Sequence, residues 1–92
     1  MEIIKIGAMW CPACLVMKKI CPKIEEDYNV KIKHLDLDFD EEEVKPYNVG
    51  DILPVIVIKK DGKEIKRIIG EKNYDSLKKE IDEILWRNYL DI

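Results

Sequence analysis

Threonine and glutamine are missing altogether, histidine and phenylalanine occur once each, and cysteine occurs only three times in 92 residues. An odd and small number of cysteines excludes a disulfide-stapled secreted scaffold and leaves catalytic, metal-binding or inert core roles. No apolar run approaches the roughly 20 residues that a helix needs to cross a bilayer. Met1 to Gly7 carries Glu2 and Lys5 and offers no apolar stretch of the kind a secretory leader needs. No basic stripe stands clear of its acidic neighbours and the net charge is −3, which argues against a nucleic-acid binder. The lack of Thr and Gln beside abundant Ile, Lys and Glu occurs in hyperthermophiles and in AT-rich genomes alike, and fixes no source. The expectation is a soluble, cytoplasmic, monomeric protein with no membrane and no nucleic-acid partner.

Hydrophobic residues make up 47% and charged residues 38%, a balance that supports one core and one domain over residues 1–92. Glu2 to Ile6 is a β-branched run ending at Gly7, the pattern of a buried strand. Pro12 suits the first turn of a helix, and Cys14, Met17, Cys21, Ile24 and Tyr28 then recur at helical spacing. Pro22 should kink that helix near Ile20 or Cys21. Lys31 to Phe39 is a second strand with Ile32, Leu35 and Leu37 as apolar members, and Glu41 to Tyr47 a short helix with acids in its first turn. Pro54 opens a strand over Val55 to Ile58, Asp61-Gly62 turns it, and Lys63 to Ile69 returns as its hairpin partner. Gly70 stops that strand, and Tyr74, Leu77, Ile81, Ile84 and Leu85 mark a last helix. The order β-α-β-α-β-β-α gives an α/β fold. Its first two strands must be parallel by the crossover rule, and a mixed four-stranded sheet flanked by helices is the economical arrangement.

Chemistry concentrates in Trp10-Cys11-Pro12-Ala13-Cys14, where a strand hands over to a helix. Two cysteines separated by one helical turn can close a small disulfide ring. A helix N-terminus offers free N–H groups and a partial positive charge that stabilise a thiolate, the attacking species in disulfide exchange. Cys11, nearest the exposed loop, is therefore the expected nucleophile and Cys14 the resolving thiol, with Trp10 sheltering the sulfurs on one side. A structural zinc site would instead use Cys11, Cys14, Cys21 and His34. Pro12 and the apolar residues after Cys14 favour a helix over the tight turn of a zinc knuckle, so no metal is expected. Two buried, idle cysteines are the remaining alternative.

The segment resembles the thioredoxins and their glutaredoxin-like relatives, and the likeness extends over nearly the whole chain. Asp38 ends a strand where thioredoxins carry an Ile-Asp pair. Tyr47-Asn48-Val49 leads to Leu53-Pro54 much as a Tyr-x-Ile leads to the family's cis-proline, and Lys60-Asp61-Gly62 and Gly70 follow at the family's spacing. The resemblance implies a protein-disulfide oxidoreductase on a thioredoxin-like fold with no cofactor beyond a Cys11–Cys14 disulfide. It also implies a cis Leu53–Pro54 bond that lets an extended substrate pair with the Leu53 backbone. Disulfide-containing proteins would be the substrates. The chain opens on the central strand, as glutaredoxins do. It places Pro-Ala between the cysteines and has no Gly-Gly near Gly70. These features leave the electron donor open between a reductase and glutathione.

Several residues have plainer expectations. In a regular helix Cys21 would lie ~10 Å from Cys14 and ~15 Å from Cys11, too far for a disulfide, so an inert buried thiol is expected. His34 should be solvated, Asp40 to Glu43 an exposed helix start, and Trp86 and Tyr89 packing residues. Lys5 is the odd residue, since the resemblance would place a buried acid there. Either its ammonium reaches water along an apolar stem, or the amine lies under the active site. There it would take the resolving thiol's proton if neutral and stabilise its thiolate if charged.

Overall fold

The computed structural model describes the backbone of residues 1–90 and the side chains of residues 1–87. Strand β1 (Glu2–Gly7) is central because Ile3, Ile4 and Ile6 bury both of its faces. It pairs in parallel with β2 (Ile32–Asp36) and antiparallel with β3 (Val55–Lys60). Strand β4 (Lys63–Ile69) completes the order β2-β1-β3-β4 as the antiparallel partner of β3. The parallel β1–β2 pair needs a crossover, supplied by α1 (Pro12–Lys18) and α2 (Cys21–Tyr28). Asp61 and Gly62 turn the hairpin with φ of 53° and 80°, the left-handed pair that matches strand twist.

Alternation along the strands divides the core. On one face Ile3, Ile56 and Ile58 pack with Met17, Cys21 and Ile24 and with Leu77 and Ile81 of α4 (Tyr74–Leu90). Ile4, Ile6 and Val57 of the other face belong to a second cluster with Val44 of α3 (Glu41–Val44), Leu53, Cys11 and Cys14. Tyr28 donates to the Lys78 carbonyl at 3.2 Å and to Asp82, and Tyr74 to Asp27, joining α2 to α4. Among the described residues no helix is long and apolar enough to cross a membrane.

Four sequence expectations change. The expected kinked helix is two helices: Lys19 and Ile20 bond back to Val16 and Met17, closing α1 with a tight turn. Pro22 then sits in the first turn of α2, where its missing N–H leaves no bond unmade. The second strand stops at Asp36, short of Phe39, because the Asp36 carboxylate accepts from the Asp38 and Phe39 N–H groups at 2.8 and 3.1 Å and bends the chain into a turn. The Glu41 to Tyr47 helix gives way after Val44 to a 3₁₀ turn over Lys45–Tyr47, with Pro46 inside it. Trp86 is 61% exposed rather than packed in the core. It follows buried Ile84 by two positions, which turns it to the outer face of α4. The Tyr89 side chain lies outside the described residues.

Candidate active site

Strand β1 delivers the chain to the N-terminus of α1 through a turn in which the Cys11 N–H donates to the Ala8 carbonyl at 3.1 Å. Cys11 caps the helix with extended dihedrals, φ −96° and ψ 109°, and Pro12 fills the first turn behind it. Its sulfur accepts the Cys14 backbone N–H at 3.2 Å. A sulfur in that position receives one of the free donors of the helix end, together with the positive end of the peptide dipoles. Both cysteines are thiols here and both are buried, Cys11 at 6% and Cys14 at 3% exposed. The expected contrast of an open first cysteine and a closed second one is therefore absent. Capping draws the Cys11 side chain into the helix mouth instead of toward the loop.

The two thiols differ in environment rather than in cover. Burial pushes the Cys14 thiol up to about 11, and the hydrogen bond and charge of Cys11 act the same way. The Ala8 backbone and the Lys5 charge pull it back. Cys14 is thus the sulfur that keeps its proton.

The rest of the site comes from remote segments. The Leu53–Pro54 bond is cis. Leu53 and Val55 on either side of the proline pack in the same cluster as Cys11 and Cys14, and the Pro54 carbonyl accepts the Gly70 N–H at 2.9 Å. Trp10 is 64% exposed, and its indole N–H donates to the Asp38 carboxylate at 2.8 Å. The sequence marked Asp38 only as a strand end. Its role as anchor of the Trp10 loop follows from the parallel β1–β2 register, which sets Gly7 opposite Asp36. Gly7 was also missed as a site residue: a Cβ there would stand 3.1 Å from Cys14 Sγ.

Lys5 is 6% exposed and lines a cavity of about 320 Å³ with Gly7, Cys14, Lys18 and His34. His34 is exposed, as expected; partial cover of its ring, then the Lys5 charge, hold its pKa below the ordinary value. Cys21 belongs to a different core cluster from the active pair, and its S–H donates to the Met17 carbonyl at 3.3 Å. The four candidate zinc ligands are therefore not gathered. Among the described residues no three His, Cys, Asp or Glu side chains converge on a common point.

Two thiols that meet across one helical turn can give up two electrons and join, and the protein that this fold and site define is a thiol–disulfide oxidoreductase. The thioredoxin family model matches residues 1–83. The thioredoxin of Listeria monocytogenes is 32% identical over 79 residues, spanning 85% of this chain and 73% of that one. Among solved structures, the oxidised mitochondrial thioredoxin 3 of Saccharomyces cerevisiae aligns with a TM-score of 0.78 at 31% identity, covering 89% of this chain and 76% of that one. Thioredoxin 1 of Thermosipho africanus shares the fold with a TM-score of 0.83 at 19% identity, covering 97% of this chain and 99% of its own. The chain belongs to the thioredoxin family and is a thioredoxin-like oxidoreductase of protein disulfides.

Proposed function

We propose that Cys11 opens the reaction and Cys14 closes it. The Cys11 thiolate attacks a substrate disulfide, forms a mixed disulfide and expels one substrate thiolate. Cys14 then attacks the Cys11 sulfur, releases the second substrate thiol and leaves the Cys11–Cys14 disulfide, so that two electrons pass to the substrate. The carrying observation is the Cys11 sulfur at the helix N-cap, accepting the Cys14 N–H at 3.2 Å, beside a Cys14 thiol that burial keeps protonated. Trp10, Pro12, Leu53 and Pro54 shape the groove, in which an extended substrate segment pairs with the Leu53 backbone. No cofactor beyond the two cysteines is required.

A dithiol that donates electrons must be kept reduced, so the proposed setting is the cytoplasm, where it serves electron transport and cell redox homeostasis as a monomer recharged by a reductase. The test is reduction of insulin disulfides with NADPH and a thioredoxin reductase as the source of electrons. Turnover is expected, with Cys11→Ser inactive and Cys14→Ser arrested as a mixed disulfide. Turnover with glutathione and glutathione reductase alone would change the donor to glutathione. No turnover with either, with zinc co-purifying in stoichiometric amount, would replace the reading with a metal-binding module.

A further inference from the structure

Lys5 stands in the core at 6% exposure, without a hydrogen bond or salt bridge among the described residues. Its stem is buried while Nζ is not among the fully enclosed polar atoms, so the ammonium opens into a cavity. Its surroundings give it a task. A Cβ built on Gly7 would lie 3.1 Å from Cys14 Sγ and 3.7 Å from Lys5 Nζ. Thiol and ammonium thus flank one bare glycine and, by those two distances, lie no more than about 7 Å apart. Both line the cavity of about 320 Å³ rimmed by Lys18, His34, Asp36 and Asp40. The two rim carboxylates are engaged elsewhere: Asp36 accepts from the Asp38 and Phe39 N–H groups, and Asp40 accepts the Asp36 N–H at 2.8 Å. Neither forms a salt bridge with Lys5 among the described residues, and the ammonium shares the cavity with the Cys14 sulfur.

We propose that Lys5 is a positioning residue for the second exchange step: its charge stabilises the Cys14 thiolate as that thiolate forms, and the cavity carries the released proton to solvent. This rests on the disulfide cycle proposed above. In the mixed disulfide the Cys11 sulfur is bonded to substrate, so its charge and its hydrogen bond no longer act on Cys14. Burial remains to oppose ionisation, and the Ala8 backbone and Lys5 remain to favour it. The Cys14 S–H gives its proton to solvent in the cavity, and the thiolate attacks Cys11 Sγ. The bond from Cys11 to the substrate sulfur breaks, and the substrate leaves as a thiolate that takes a proton from water. Cys11 and Cys14 together lose two electrons and the substrate disulfide gains them. A charged ammonium cannot accept the thiol proton, so Lys5 acts through its field and not as a base.

The two steps separate in a stopped-flow reaction of the reduced protein with 5,5′-dithiobis(2-nitrobenzoate), in a Cys21→Ala background so that only the pair reports. The first thionitrobenzoate is released when Cys11 attacks, the second when Cys14 resolves. Lys5→Met and Lys5→Gln are expected to leave the first release unchanged at neutral pH. They should slow the second about threefold to tenfold, a unit charge at this distance discounted for the greater nucleophilicity of a more basic thiolate. Lys5→Arg, which keeps the charge, should stay near the wild-type rate. A second release that is unchanged in the neutral variants, a slowing of both releases alike, or a Lys5→Arg protein as slow as Lys5→Met would overturn the proposal. A wild-type protein that releases only one equivalent would overturn the disulfide cycle, and this proposal with it.

Discussion

Cys14 packs against the bare Cα of Gly7 so closely that a Cβ at that position would stand 3.1 Å from its sulfur and 3.2 Å from its own Cβ. The requirement is for space and not for a left-handed backbone, since the positive-φ glycines are Gly62 and Gly70. Gly7→Ala forces α1 or the end of β1 to move by a few tenths of an ångström. Overpacking of this kind costs about 1 to 3 kcal/mol. For a domain of this size that lowers Tm by roughly 4–8 °C per kcal/mol. Thermal unfolding of the reduced protein followed by circular dichroism checks it, and an unchanged Tm would show that the helix steps aside freely.

The hydrogen bond from Trp10 to Asp38 holds the loop before Cys11 to the turn after β2 over 2.8 Å. Both residues are exposed, so Asp38→Ala should cost no more than about 1 kcal/mol of stability. The local effect is larger: the indole loses its partner, and its emission should shift in a Trp86→Phe background where Trp10 is the sole tryptophan. Identical spectra with and without Asp38 would deny the contact in solution.

What the sequence made legible follows from period and punctuation. The Ile run of β1, the Asp61-Gly62 hairpin and the spacing of Leu77, Ile81 and Ile84 are local patterns, and the structure reproduces each. The elements that shifted are those where a polar side chain or a proline competes with the regular backbone. Asp36 ends β2 by capping the following turn, and Pro22 opens α2 where a kinked continuous helix was expected. At the site, the cysteine pair was visible as residue types at fixed spacing, and Pro54 through the resemblance alone. The cover over Cys11, the anchoring of Trp10 by Asp38 and the fit of Gly7 to Cys14 depend on tertiary contacts between distant segments, which no single stretch of sequence displays.

Cys21 is the third thiol and should be silent in the native state. It is 2% exposed, and its S–H is spent on the Met17 carbonyl at 3.3 Å. Burial raises its pKa above 9.0, which further disfavours the reactive thiolate. Iodoacetamide should label Cys21 only after unfolding, as mapped by peptide mass. Cys21→Ala removes one small buried group, so a loss of about 1 kcal/mol is expected, with disulfide reduction retained. Native labelling at Cys21 ahead of Cys11 would place this thiol at an accessible surface and contradict its packing.

The reduced protein should lose stability at alkaline pH in a way that identifies Cys14. Burial first, then its hydrogen bond to Cys11, raises its thiol from 9.0 to about 11 in the folded state. Below pH 9.0 both folded and unfolded chains hold this proton, and its contribution is fully present. Between 9.0 and about 11 the unfolded chain releases the proton while the folded chain keeps it, so the unfolding free energy falls as pH rises. Above that range both states are ionised and this group causes no further loss. Cys21 is raised by burial, Tyr28 by burial and Asp82, and Tyr74 by its hydrogen bond to Asp27, so each acts in the same direction. All three remain when Cys14 is replaced, so the comparison that isolates it is reduced wild type against Cys14→Ser, whose hydroxyl does not ionise. Urea unfolding across the interval from 9.0 to about 11 should give a steeper decline for the wild type. Equal declines would mean that the Cys14 thiol ionises in the fold as it does in the unfolded chain, and burial would then no longer explain why it keeps its proton until Cys11 has reacted.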